Sequence, residues 1–281
     1  MTDVKPLVEI IRERIAQGVQ MLPVFPDVEL KLQQLLSKSD FDMEKLAELI
    51  SEDQALAGQV LRMANSAFFA GLTKVATIND AMVRLGAQEV ANLAMMACQA
   101  DYYKSSNQFI DEQMKDLWRH ALGCAYGTRW LAARTGYESL QQYAFMAGLL
   151  HDIGKLFLLK LLDEIASEKG AGLHLPGPLV RDILVSMHVE QGYQLMKSWN
   201  LPEIYSTVVL EHEAEVFDQN NILLILVRLA DMVCIKLGIG CGGEEPTDPY
   251  SCVETHLLGI REVTLAEMEI YIEDMLAQVL R

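Results

Sequence analysis

Basic charge is what this 281-residue chain has least of: 23 lysines and arginines stand against 39 acidic residues, a formal net charge of −16. Binding nucleic acid through its phosphates needs a basic face, and no basic run is present. A nucleic-acid partner is therefore not expected, and an anionic membrane surface is disfavoured for the same reason. Paired cysteines are missing too. Cys98, Cys124, Cys234, Cys241 and Cys252 form no CxxC, and the odd count suits free thiols in a reducing cytoplasm rather than a disulfide scaffold or zinc finger. Uninterrupted apolar runs are also absent. The most apolar stretch, NILLILVRLADMVCIKLGIG, carries Arg228, Asp231 and Lys236 and fails as a membrane span. The opening MTDVKPLVEIIRERIAQG mixes charge into its apolar residues and does not read as a signal peptide.

Aromatics are scarce at 7%, while hydrophobic residues reach 51%, with Leu, Ala and Met plentiful. That mixture favours helix over strand. Apolar spacing predicts helices along nearly the whole chain, as at Leu56, Val60, Leu61, Ala64 and Phe68. Asp27 and Asp42 are expected N-caps, Gly86 and Gly136 expected stops, and Thr264 with Glu267 an expected capping box. LPVFP (22–26), LHLPGP and GIGCGGEEPTDPYSC read as turns or loops. No strand alternation or internal repeat is visible. The fold class expected is all-α and two-lobed, with an N-terminal helical lobe over 1–112 and a second lobe over 113–281, the polar segment KSSNQFIDEQMKD connecting them.

GLLHDIGK, residues 148–155, sits between the apolar stretches YAFMAGLL and LFLLKLL, so a helix is expected to run through it. A buried carboxylate without a partner costs several kcal/mol, so Asp152 needs compensation. Asp231 poses the same problem inside LVRLADMVC. Two answers are open. Asp152 can pair with Lys155 and Asp231 with Arg228, each three residues away on a helix. Alternatively, both carboxylates join the helical histidines His120, His151, His188 and His212 around a metal, since imidazole and carboxylate together suit zinc, iron, manganese or nickel. His174 and His256 receive no role.

The order H…HD…H…H…D resembles the ligand order of the HD superfamily of metal-dependent phosphohydrolases. LPVFPDVELKLQQLL, LAELISEDQALAGQVLRMANSAFF, INDAMVRLGAQEVANLAMM, YAFMAGLLHDIGKL and HVEQGYQLMKSWNLPEIYSTVVLEH further resemble its HDOD subgroup, a bacterial signal-transduction module. The likeness runs from about residue 19 to about 235, leaving the last ~45 residues largely uncovered. It implies a first metal position from His120, His151, Asp152 and Asp231. A second comes from His188 and His212, with Asp152 bridging. One or two divalent transition-metal ions are implied, and Lys155 matches a lysine that contacts substrate phosphate in related phosphodiesterases.

Two departures qualify the likeness. Glu211-His212 stands where relatives often have His-His, although Glu211 can still ligate. The Gly-Tyr-Pro loop of cyclic-di-GMP phosphodiesterases is replaced by FDQNN, which argues against that substrate. The function implied first is a cytoplasmic regulatory module acting through signalling proteins, with Phe68 and Phe69 as a partner surface unless they pack in the core. The alternative is a phosphohydrolase for a small phosphate-containing ligand, with Asp152 and Lys155 catalytic. An open pocket at the ligand cluster would favour the enzyme.

Overall fold

The structure is a computed structural model, described for residues 7–17, 28, 31, 32, 35, 42–69, 71, 73–168, 176–240 and 247–279. The LPVFP turn, the Asp27 cap, His174 with the first half of the LHLPGP turn, and Cys241 lie outside these residues; the second half of that turn is corrected, since Gly177 and Pro178 open the helix that runs to Ser198. Among the described residues every regular element is a helix, and none is long and apolar enough to cross a membrane.

Helix α1 spans Leu7–Gln17. Helices α2 (Met43–Glu52) and α3 (Gln54–Ala64) each start under an aspartate. Asp42 accepts from the backbone N–H of Glu44 and Lys45, and Asp53 from Ala55 and Leu56. A cap of this kind contributes about 1 kcal/mol by satisfying N–H groups that have no partner within the helix. Helix α4 (Ile78–Leu85) opens with a Thr77–Asp80 capping box and stops at Gly86, whose φ of 87° is easy only for glycine. Helix α5 (Ala87–Ala100) follows at once. Helices α2 to α5 pack on one another through Leu46, Ile50, Leu56, Val60 and Val90.

Helix α6 (Gln108–Arg134) is the long axis of the rest. Asn107 caps it, so it starts before residue 112 and runs across the expected lobe boundary. The polar stretch before 112 is its first, solvent-facing turn, with Ile110 and Met114 pointing inward. Around α6 lie α7 (Gln141–Leu150), α11 (Ile222–Lys236) and α13 (Glu262–Val279). Helix α8 (Ile153–Ser167) pairs with α9 (Gly177–Ser198), which in turn contacts α10 (Glu203–Glu211). The short α12 (Val253–Leu257) rests on α11.

Two local expectations are corrected. Thr264 does not cap α13, which begins two residues earlier at Glu262. The helix expected through GLLHDIGK is broken: α7 ends at Leu150 and α8 begins at Ile153. Close backbone approach on both sides of the break explains it. A Cβ on Gly148 would stand 2.5 Å from the Cys124 carbonyl oxygen, and one on Gly154 would stand 1.9 Å from that of His188. The two glycines press α7 onto α6 and α8 onto α9. His151 and Asp152 form the turn between these contacts.

Candidate metal centre

Each of the four histidines expected as ligands is fixed in the same way. Nδ1 of His120 lies 2.9 Å from the Ile239 carbonyl, that of His151 2.8 Å from Gly148, that of His188 2.8 Å from Leu184, and that of His212 2.9 Å from Val209. A carbonyl only accepts, so Nδ1–H donates in every case. Nε2 is thereby left facing inward, the usual orientation of a metal-binding imidazole.

The four Nε2 atoms converge on Asp152 in two pairs. His120 and His151 approach each other at 3.2 Å and lie 3.5 and 3.6 Å from Asp152 Oδ2. His188 and His212 lie 3.4 Å apart, and 3.5 and 3.4 Å from Asp152 Oδ1. Asp231 closes the first group, its Oδ1 3.1 Å from His120 Nε2 and 3.9 Å from His151 Nε2. All six candidate ligands are thus brought together, from α6, the 151–152 turn, α9, the end of α10 and α11.

Both carboxylate oxygens of Asp152 are buried without a hydrogen-bond donor, although Lys155 Nζ stands 2.9 Å from Oδ2 as an ion-pair partner. Imidazole nitrogens and carboxylate oxygens crowded together away from water repel one another until protons or a cation enter, and one lysine at Oδ2 does not supply that for the whole group. The residues therefore fit a metal ion, and the donor set suits a transition metal.

The electrostatics agree. Burial drives the His151 ring down to about 4, keeping it neutral. Burial opposes charge on His120 too, but the Asp231 carboxylate outweighs it and lifts the ring to about 10. Burial likewise works against Asp231, yet the His120 hydrogen bond holds its carboxyl at about 2. Asp152 is kept well below the usual carboxylate range, since Lys155 and His151 overcome burial.

Glu213 was not among the expected residues. Its Oε1 stands 3.3 Å from His188 Nε2, and it joins His188 and His212 in a second ligand group. Helix α10 ends at Glu211, so the chain turns and delivers Glu213 to the centre. Two of the three glutamates of EHEAE, Glu211 and Glu213, flank His212, and the helix end decides between them. Glu211 instead contributes its backbone carbonyl to Arg228. Arg228 does not pair with Asp231; its Nε binds Glu254 at 2.7 Å and its Nη1 reaches the carbonyls of Glu211, His212 and Ala214.

A cavity of about 440 Å³ opens on one side of the cluster, with His212, Glu213 and Asp231 in its wall beside Glu215, Arg228 and Glu254. Asp231 is 15% and Glu213 37% exposed, whereas Lys155 is only 5% exposed and absent from that wall.

The HDOD domain family model matches residues 22–215. The chain belongs to the HDOD family. Asp231 and the 247–254 edge of the cavity lie beyond the matched stretch. The HDOD chain has the same fold as an HDOD domain protein of Geobacter sulfurreducens, at TM-score 0.75 and 24% identity over 95% of each chain. It also resembles a proposed metal-dependent phosphohydrolase of Shewanella amazonensis SB2B, at TM-score 0.70 and 18% identity over 96% and 97% of the two chains. A Treponema pallidum (strain Nichols) protein is 29% identical over 206 residues, 70% of this chain. The chain spans about two-fifths of that relative's length, the match covering 39% of it.

The expected partner surface is partly withdrawn into the core. Phe68 and Phe69 are half-buried and pack against the core, Phe68 with its ring 6.1 Å from those of Tyr126 and Tyr271.

Proposed function

We propose that this chain is a bacterial, cytoplasmic HDOD regulatory module that carries a divalent transition-metal centre and acts through signalling-protein partners. His120, His151 and Asp231 would hold one ion, His188, His212 and Glu213 a second, with Asp152 between them. An ion bound there would polarise a phosphoryl oxygen and lower the pKa of water. The chain's own residues prepare the site: Asp152 and Asp231 supply the negative charge that draws a cation in, and the four Nδ1–H bonds orient the rings.

The observation that carries the regulatory reading is the cavity wall. Among its described residues Arg228 is the one Lys or Arg, and it is committed to Glu254 and three carbonyls. Glu213, Glu215, Asp231 and Glu254 make the wall acidic. Lys155, which the family likeness offers to a substrate phosphate, is turned to Asp152 in the interior. An incoming phosphate ester would meet carboxylates.

A second reading, hydrolysis of a small phosphate ester, is favoured by one fact: the cavity does reach Asp231, His212 and Glu213. In that case Asp152 would be catalytic.

Elemental analysis of protein purified without chelator, run beside a chromogenic phosphodiester assay, decides between them. Bound iron, zinc, manganese or nickel without turnover above a metal-free control is expected. Turnover that vanishes in Asp152→Ala would install the second reading. A metal-free preparation whose melting temperature ignores added ions would remove the metal centre from both.

A further inference from the structure

Cys124 lies one turn beyond His120 on the same face of α6, and its sulfur is 3.5 Å from His120 Nε2. The thiol is fully buried. The Sγ of Cys124, the Nε2 atoms of His120 and His151 and an oxygen of Asp231 all lie within 4.8 Å of one another. Four of the six separations among them are 3.1, 3.2, 3.5 and 3.9 Å. Ligand atoms around a tetrahedral zinc, with bonds of 2.0–2.3 Å, stand roughly 3.3–3.7 Å apart. The four separations bracket that range and the other two lie within 4.8 Å, so small side-chain shifts would close the group on an ion.

A plain buried thiol accounts for less. Because Nδ1–H of His120 is given to Ile239, its Nε2 has a single direction to offer, a proton held toward Asp231 in the metal-free chain and a lone pair once that proton leaves. Asp231 Oδ1, His151 Nε2, Asp152 Oδ2 and Cys124 Sγ all crowd that atom within 3.5 Å. A proton on Nε2 satisfies the Asp231 contact and one S–H donor can satisfy another, which leaves the rest of the crowd unmatched. The backbone holds Cys124 in place: Gly148 packs α7 against the Cys124 carbonyl, three residues before His151.

We propose that Cys124 is a ligand of the first metal position, making it a mixed two-histidine, thiolate and carboxylate site. This rests on the metal-binding reading above and extends it. A thiolate is a soft donor, so the position would select zinc, iron(II) or cobalt(II) over manganese. Binding would transfer the thiol proton to solvent, and the sulfur lone pair would form the bond to the ion.

Cobalt(II) added to the full-length chain tests the assignment. The expected spectrum has visible d–d bands and a near-ultraviolet thiolate-to-cobalt band. Cys124→Ser should keep the visible bands, lose the thiolate band and lower the preference for zinc over manganese by roughly tenfold or more. Cys234→Ser, an adjacent buried thiol outside the ligand group, should keep both. Zinc X-ray absorption on the unmutated protein reads the same feature without a variant, as a sulfur shell near ~2.3 Å. Visible bands without a thiolate band, or a thiolate band lost in Cys234→Ser instead, would overturn the ligand role and leave the metal centre standing. No cobalt bands at all would sink both.

Discussion

Asp152 receives four imidazoles from two directions and one ammonium from below, and its side chain is too deeply buried for water to share that task. Replacing it separates its two duties. In chelated protein, Asp152→Ala takes from the buried Lys155 its 2.9 Å ion pair and leaves Glu213 3.9 Å away. Removing one partner of a buried pair typically costs about 3–5 kcal/mol. Asp152→Ala combined with Lys155→Met should regain much of that loss in a denaturant melt, yet neither variant should regain metal on elemental analysis. If the double variant binds metal like the wild type, Asp152 is not a ligand. Protons supply the second residue-scale test. With its ring lifted to about 10 beside Asp231, His120 is protonated at neutral pH in the metal-free chain. Ion binding must expel that proton, so metal affinity should climb as pH rises from 7 towards 10. Titration calorimetry in buffers of different ionisation enthalpy should show about one proton or more released per ion. Proton uptake would contradict the arrangement.

Among the elements, the break at 151–152 depends on glycines as much as on the motif's charged residues. Gly154→Ala would drive a methyl into the His188 carbonyl, a backbone atom with nowhere to go. Overpacking of this kind costs about 1–3 kcal/mol, occasionally more, and should displace His188 and weaken metal binding. Gly58, inside α3 with nothing within 4 Å of an added Cβ, is the control. Gly58→Ala should be neutral or stabilising by about 0.5–1 kcal/mol. Thermal melts of the two variants moving alike would refute the close-approach explanation. Arg228 acts at the same scale, holding the turn that carries His212 and Glu213 through three carbonyls while stacking 4.0 Å over Phe217. Lysine has no planar fork to span those acceptors. Arg228→Lys should therefore lower metal affinity roughly 10–100-fold, measured by competition with a chromogenic chelator, with little change in helix content. These elements also show where sequence reading stops. Helices were legible because their apolar residues recur at 3.6-residue spacing, and the Asp42, Gly86 and Gly136 punctuation follows from local backbone chemistry. The six residues gathered at the centre were legible from their order along the chain. Glu213 was not, since choosing it over Glu211 requires the residue at which α10 ends. Cys124 reads from sequence only as a free thiol, because a four-residue offset from His120 carries no meaning until the turn after α7 and helix α11 complete the group.

At the scale of the whole molecule, α6 is the shared beam: it starts ahead of the expected boundary at 112, carries His120 and Cys124, and ends on the N-terminal lobe's side of the core. There Arg129 of α6 forms an ion pair with Glu89 of α5, its guanidinium lying 5.0 Å over the Tyr126 ring and 5.7 Å from that of Phe145. The pair is nearly closed to solvent, at 18% and 12% exposure, so screening does little to soften its loss. Glu89→Gln would leave the Arg129 charge among aromatic rings, and a drop of about 3–5 kcal/mol in stability is expected. Replacing both, Glu89→Leu with Arg129→Met, removes the stranded charge and should return close to wild-type stability. The double-mutant cycle should then give a coupling energy above about 1 kcal/mol, as residues in direct contact do. Such a coupling would mean that the N-terminal helices and the helix holding the first metal position unfold together, as a single melting transition. Additive effects, or two separate transitions in the wild type, would show instead that α5 and α6 touch without sharing stability.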